Sequence, residues 1–283
     1  MASARRPTSR QARLGSELRK LREAVPMSGA KAASFLGGER SLISHVEAGR
    51  WGIKPERVQF LASHYGATDK DLVDALVAMA RERGEGWWER FHGSLPPTLL
   101  ELSEIEHHAT FLRTAQALIV PGIFQTEEYA HAVISTANPG ASDDELNARI
   151  QHRLARREFF DRDRPTPYEA IIHEAALRIH YGSRRISRHQ LTFLLEAADW
   201  PGVSIRVIPF TAESFIGFVP QMFYAGGSVP QLDTVIVESV LGLVFMSEED
   251  QLRKYRSLFN AFKDLSLDIN ESKTMINRIL KEG

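Results

Sequence analysis

The chain has 283 residues, more than one typical domain, and its composition of 43% hydrophobic and 25% charged residues is that of an ordinary globular protein. It has no apolar run of membrane-spanning length and no signal-peptide pattern, and the absence of cysteine excludes disulfides, thiol catalysis and cysteine-ligated zinc. We therefore expect a two-domain cytoplasmic protein without membrane contact.

The net charge of −1 is divided unevenly along the chain. Residues 1–66 hold twelve Lys and Arg against five Asp and Glu, a balance of +7, whereas the remainder holds 23 against 31. A basic first quarter joined to an acidic remainder predicts a nucleic-acid-binding N-terminal domain and a different partner for the rest of the chain.

The first thirteen residues, MASARRPTSRQAR, contain four arginines, no acidic residue and almost nothing apolar. Such a composition predicts that residues 1–13 form a disordered basic arm that lies along phosphate. An ordinary solvated tail is the alternative.

Residues 14–83 carry the pattern of five helices. Leu14, Leu18 and Leu21 recur at helical spacing, Pro55 opens a later helix, and Ser28 and Thr68 stand where N-caps are expected. This stretch therefore predicts an all-α domain.

Within it, residues 29–50 read as two short helices joined by a tight turn. Gly37 can adopt the positive φ that ends the first helix, and Ile43 and Val46 face inward together from the second. This pattern indicates a helix-turn-helix unit, with an ordinary helical hairpin as the alternative. The predicted DNA-binding residues are Arg40, Ser41, Ser44 and His45 on the second helix, Arg50 and Lys54 in the following loop, and Lys31.

The runs LRKLREAVPMS, KAASFLG and SLISHVEAGR resemble the amino-terminal domain of the XRE (phage-repressor-like) helix-turn-helix family. In that family an arginine late in the first helix pairs with a glutamate that ends the recognition helix, and Arg22 and Glu47 match those positions. The chain departs from the family at Glu39, where Ser or Thr usually caps the recognition helix, and at Gly29, where Gln often opens helix two. The resemblance implies a sequence-specific regulator that binds a double-stranded DNA operator, and we expect a homodimer.

Residues 84–97, GEGWWERFHGSLPP, read as a linker because of their glycines and Pro-Pro pair. Trp87 and Trp88 are unusual in a free linker. They pack either on the chain's own core or at a dimer contact.

Residues 98–283 alternate between helical and strand patterns, which predicts an α+β domain with a small sheet. The predicted helices are 98–118, 126–137, 142–163, 187–198, 247–264 and 271–281, and the predicted strands are 168–172, 203–208, 221–224 and 234–238.

This region resembles the domain that follows the helix-turn-helix in WhiJ-like, Scr-type antitoxin-like bacterial regulators. The matching stretches include IVPGIFQTEEYA, RIQHRLARRE, HEAALRIHYG, QLTFLLEAA and VSIRVIPF, in the family's order. The resemblance implies an antitoxin-like regulator whose C-terminal domain binds a partner, often a small acidic protein encoded nearby.

The loop before the helix capped by Thr126 is the predicted effector site. Pro121, Gly122 and an exposed Phe124 are expected to form, with the neighbouring sheet edge, a surface coupled to DNA binding through the spacing of the two heads of a dimer. The alternative is that Phe124 fills the domain's own core.

Catalytic and metal chemistry find little support in the sequence. Ten histidines occur, but no three or four ligands are spaced to converge on a metal, and no nucleophile, base and oxyanion set can be named. Arg149, Arg153, Arg156 and Arg157 read as a solvated, ion-paired stripe, with anion binding as the minority interpretation. We expect no cofactor and no enzymatic activity. The alternatives are a ligand-gated repressor and an enzyme that uses Glu174.

Overall fold

The computed structural model describes residues 7–82, 86–213, 221–239 and 242–282, and the chain divides into two compact units, residues 1–87 and 88–283. Within the described residues, the first unit is helical and the second combines a six-stranded sheet with helices. The predicted fold class, an all-α helix-turn-helix domain followed by an α+β domain, is confirmed.

The described part of the first unit contains five helices. They are α1 (Ser9–Ala24), α2 (Gly29–Phe35), α3 (Arg40–Glu47), α4 (Pro55–His64) and α5 (Lys70–Arg81). The Ser28 hydroxyl caps α2 by accepting from the Lys31 N–H, as predicted. Helix α5 is capped by Asp69 and not by the predicted Thr68, which lies one residue too early.

Helices α1 and α3 touch through their backbones at Gly15. A Cβ on Gly15 would lie 2.5 Å from the carbonyl oxygens of both Val46 and Glu47. Leu18 and Ile43 are fully buried in the same unit. The glycine therefore allows α1 to set the position of the last turn of α3.

The predicted disordered arm, residues 1–13, overlaps the first helix. Residues 1–6 lie outside the described residues, but α1 begins at Ser9. Thr8 accepts from the Gln11 N–H at 3.2 Å, and the Gln11 side chain accepts from the Thr8 N–H at 3.1 Å. This capping box fixes the start of the helix, so the prediction is wrong for residues 9–13.

The second unit contains a mixed sheet and seven α-helices in its described part. The strands are β1 (Phe111–Gln116), β2 (Tyr168–His173), β3 (Val203–Ile208), β4 (Met222–Gly226), β5 (Thr234–Ser239) and β6 (Gly242–Met246). The helices are α6 (Pro97–His108), α7 (Glu127–Ala137), α8 (Asp143–Ala155), α9 (Glu174–Arg178), α10 (Arg184–Ala197), α11 (Glu249–Leu265) and α12 (Ile269–Glu282).

The strand order is β3-β2-β1-β4-β5-β6, with β1–β2 and β2–β3 parallel and the other pairs antiparallel. One face, which includes Leu112 and Ile172, packs on residues of α6, α7, α9, α10 and α12. The opposite face, which includes Ile171 and Tyr224, packs on Phe259 and Phe262 of α11. Successive side chains of β2 point to opposite faces of the sheet, so β2 is buried on both faces.

The second unit differs from the sequence predictions at three places. The helix expected over 98–118 ends at His108, and residues 111–116 form β1 near the centre of the sheet; β6 was not predicted at all. The predicted linker 84–97 contains a 3₁₀ helix, Trp87–Phe91, whose Trp88 and Phe91 are buried. Trp88 packs against His107, with ring centroids 5.1 Å apart, so it belongs to the core of the second unit.

Candidate nucleic-acid interface and effector region

One cleft of the first unit collects several of the predicted DNA contacts. Arg40 and Ser44 lie one turn apart on α3, and they line the cleft with Arg50 from the following loop. Arg19 of α1 and Gly29 at the start of α2 also line the cleft, which has a volume of about 640 Å³. Exposed arginines beside the first turn of a helix suit the negative edge of nucleic acid.

The remaining predicted contacts lie outside this cleft. Lys31, Ser41 and Lys54 are exposed but do not line it. His45 is half-buried because its ring stacks on Trp51, with centroids 4.3 Å apart. Trp51 itself is 49% exposed, so the structure presents an aromatic face where the sequence predicted a histidine.

The position of α3 depends on the pair that the family resemblance implies. Arg22 donates from Nε to Glu47 Oε1 at 2.6 Å and from Nη2 to Glu47 Oε2 at 2.9 Å. Its Nη1 donates to the Met27 carbonyl at 2.9 Å. Both side chains are largely shielded from solvent, so this two-point pair orients α3 relative to α1 and the start of α2.

Sequence reasoning missed Arg19 and Trp51. Arg19 lies one turn after Gly15, so the helical period places its side chain next to the contact between α1 and α3. Trp51 comes directly after Arg50, and a large apolar residue in a basic loop was the available signal.

In the second unit, the expected exposed anchor is wrong. Phe124 is 0% exposed, and its ring lies 5.1 Å from that of Tyr168. Gln190 donates to the Phe124 carbonyl at 2.7 Å and accepts from the Thr126 N–H at 2.8 Å. Pro121 is buried as well, so this loop is fixed from both ends and Phe124 fills the domain's own core.

The arginine stripe is not a solvated face. Arg153 donates to Gln125 Oε1 at 2.7 Å, and Arg157 donates from Nε to the Ile123 carbonyl at 2.8 Å. Arg156 forms a two-point pair with the buried Glu106. Arg153 and Arg157 thus hold the loop in place, and Arg156 joins the end of α8 to α6. The periodicity of α8 could not reveal what its basic side faces.

Among the described residues, neither the histidines nor Glu174 form a recognisable metal-binding or catalytic centre. No group of three His, Asp or Glu side chains that could hold a metal occurs among the residues that the structure describes. His152 is buried with its Nε2 2.8 Å from the Ser103 Oγ, and burial lowers its pKa to about 3. Glu174 accepts from Arg178 at 2.7 Å and from the Phe210 N–H at 2.8 Å, so both its oxygens are engaged.

Comparison with known proteins agrees with the first unit's geometry. Residues 13–76 match the model of a helix-turn-helix domain, which supports a DNA-binding transcription regulator. Residues 99–278 match the family described as a domain of unknown function (DUF5753), and the chain belongs to that family. No curated protein and no solved structure matched. Among the described helices, none is long and apolar enough to cross a membrane.

Proposed function

We propose that the chain is a sequence-specific regulator, and not an enzyme, that binds its operator as a homodimer by placing α3 in the major groove. The cleft in which Arg40, Ser44 and Arg50 converge carries this proposal. Arg40 opens α3 and is exposed, so its guanidinium can bond guanine O6 and N7 together. Arg19 and Arg50 border the same cleft and suit the phosphates.

The second domain is antitoxin-like in this proposal and binds a small acidic protein encoded nearby. The exposed edge of the sheet supports a protein partner. In the described chain β6 is the last strand after β5, and Val244 on it is 47% exposed. A strand of a partner can add to such an edge through main-chain hydrogen bonds.

Base reading is tested by measuring the affinity of the full chain for its own upstream DNA and for random DNA of equal length. Arg40→Ala should cost about 1–3 kcal/mol at one base position and relax the preference there. Arg57→Ala is the matched control, because Arg57 is exposed on α4 but does not line the cleft. An equal loss of affinity on both DNAs would make Arg40 a phosphate contact. If the wild-type chain bound both DNAs equally well, the proposal of a sequence-specific regulator would be overturned.

Analytical ultracentrifugation of the full chain tests whether it forms a homodimer.

Partner binding is tested by co-purification with the products of neighbouring genes. Val244→Lys should remove the partner, because a charge on the edge opposes strand addition. Ile179→Lys, at another exposed apolar residue of the second unit, should keep it. Retention by both variants would exclude β6 as the docking edge.

A second candidate function, a repressor gated by a small molecule, is favoured by a pocket on the same face of the sheet as the 119–125 loop.

A further inference from the structure

A cavity of about 100 Å³ with both polar and apolar lining residues lies in the second unit. Its lining includes Thr114, Tyr168 and Glu238 of the sheet, together with Gly122 and Arg153. Thr114, Tyr168 and Phe223 belong to the strands β1, β2 and β4, so the cavity crosses the centre of the sheet.

One side of the cavity is cationic. A Cβ on Gly122 would lie 3.5 Å from Arg153 Nε and 3.4 Å from Arg156 Nη1, so both guanidiniums meet at this glycine. Glu106 neutralises Arg156 by its two-point pair. Arg153 donates to the neutral amide of Gln125 and has no carboxylate within ion-pair distance among the described residues.

The surroundings of Arg153 disfavour its charged form. Burial lowers the pKa of Arg153 to about 10, and repulsion from Arg156 adds to the effect, while Glu238 partly opposes it. A half-buried cation without a close counter-ion favours an anion that enters the cavity.

The cavity also contains hydrogen-bond acceptors. Gln116 Oε1 is buried and has no hydrogen-bond partner among the described residues. Its Nε2 donates to Thr114 Oγ1 at 3.3 Å, and the Thr114 hydroxyl already donates to the Met222 carbonyl at 2.9 Å, which fixes the orientation of the amide. The exposed carboxylate of Glu238 lines the same cavity. A ligand here therefore needs a hydrogen-bond donor besides its anionic group.

We propose that this cavity binds a small 2-amino or 2-hydroxy carboxylic acid, with the carboxylate against Arg153 and the donor against Gln116 and Glu238. A dry cavity of about 150 Å³ holds the six carbons of benzene, so about 100 Å³ encloses roughly four non-hydrogen atoms. An acid of six such atoms fits with part of it at the surface beside the exposed Glu238. The inference deepens the second candidate function, on which it rests, because it names the class of effector.

Calorimetric titration of the full chain with L-alanine, L-lactate and propionate tests the proposal, since these acids differ in the donor and little in size. L-alanine and L-lactate should bind and propionate should bind more weakly by about tenfold, the factor that 1.4 kcal/mol represents. Arg153→Gln should weaken the two binders by about tenfold or more. Arg149→Gln is the control, because Arg149 lies one turn earlier on α8 and pairs with Glu145 outside the cavity.

Glu238→Gln separates the two ligand types, because it should weaken L-alanine, whose donor is charged, more than L-lactate. No heat from any of the three acids at about 50 mM, where even a millimolar site is filled, would overturn the proposal. Equal weakening by Arg153→Gln and Arg149→Gln would overturn it too. Operator affinity measured without acid separates this proposal from the proposed function. If the chain binds DNA but no acid, only the proposed ligand site is rejected. If it binds the acid but not DNA, the proposed regulator is rejected.

Discussion

Arg22 and Glu47 lie 25 residues apart in the chain, yet the guanidinium of one meets both carboxylate oxygens of the other. The pair joins the last turn of α1 to the last residue of α3, and the third Arg22 bond, to the Met27 carbonyl, adds the turn before α2. One side chain therefore connects α1, α3 and the turn before α2, which border the cleft that contains Arg40 and Arg50.

Removing either member should destabilise the first unit. Arg22→Met leaves the shielded carboxylate of Glu47 unpaired and should lower the free energy of unfolding by about 3 kcal/mol. The Arg22→Met, Glu47→Met double variant should lose less than the two single losses combined, because neither charge is then left alone. Urea denaturation of the full chain, followed by helical circular dichroism, gives the three values. Additive losses would show that the pair does not couple.

The close approach at Gly15 predicts a sharp contrast between two glycines. Gly15→Ala should cost about 1–3 kcal/mol and weaken DNA binding, because its Cβ would meet backbone oxygens at 2.5 Å and push α3 away. Gly29→Ala should be neutral or stabilising by up to about 1 kcal/mol, since the nearest atom to its Cβ lies at 3.9 Å and Ala favours helix. Thermal unfolding and DNA affinity of both variants check this. Equal effects of the two substitutions on stability and DNA affinity would mean that α1 shifts at Gly15 to accommodate the added Cβ at little cost.

The salt dependence of DNA affinity tests whether the basic N-terminus contacts phosphate. Deleting residues 1–6 removes Arg5 and Arg6 but keeps Thr8, which caps α1. If both arginines contact phosphate, the slope of log affinity against log salt should flatten by about two units, close to one for each contact. Replacing both residues by Gln in the full-length chain should give the same change. An unchanged slope would identify the segment as a solvated tail.

Burial of His152 should make the second unit acid-sensitive. Its pKa is about 3 when folded and 6.5 when exposed, so below about pH 6.5 the unfolded chain binds a proton that the folded chain does not. Stability should therefore fall as the pH drops, by up to about 1.4 kcal/mol per unit from this residue. His152→Gln should lose that part of the slope between pH 7 and 5. The same change at the exposed His131 should leave the slope as it is, and a slope that survives in the His152 variant would refute the assignment.

Local patterns alone determined the DNA-binding unit. The spacing of Leu14, Leu18, Ile43 and Val46, the cap at Ser28 and the positive φ of Gly37 are properties of short segments, and a helix satisfies its backbone within itself. For the same reason the fold class of the second unit followed from its alternating helices and strands.

Only the tertiary structure decided the centre of the second unit. Strand β1 is paired on both sides, by β2 and β4. Its short sequence continues the helical pattern of the preceding residues, so only the pairing with those strands identifies it as a strand. The burial of Phe124 depends on Gln190, 66 residues away, and the basic side of α8 faces the loop and Glu106 instead of water. A strand and a buried arginine both need partners distant in sequence, which no local period encodes.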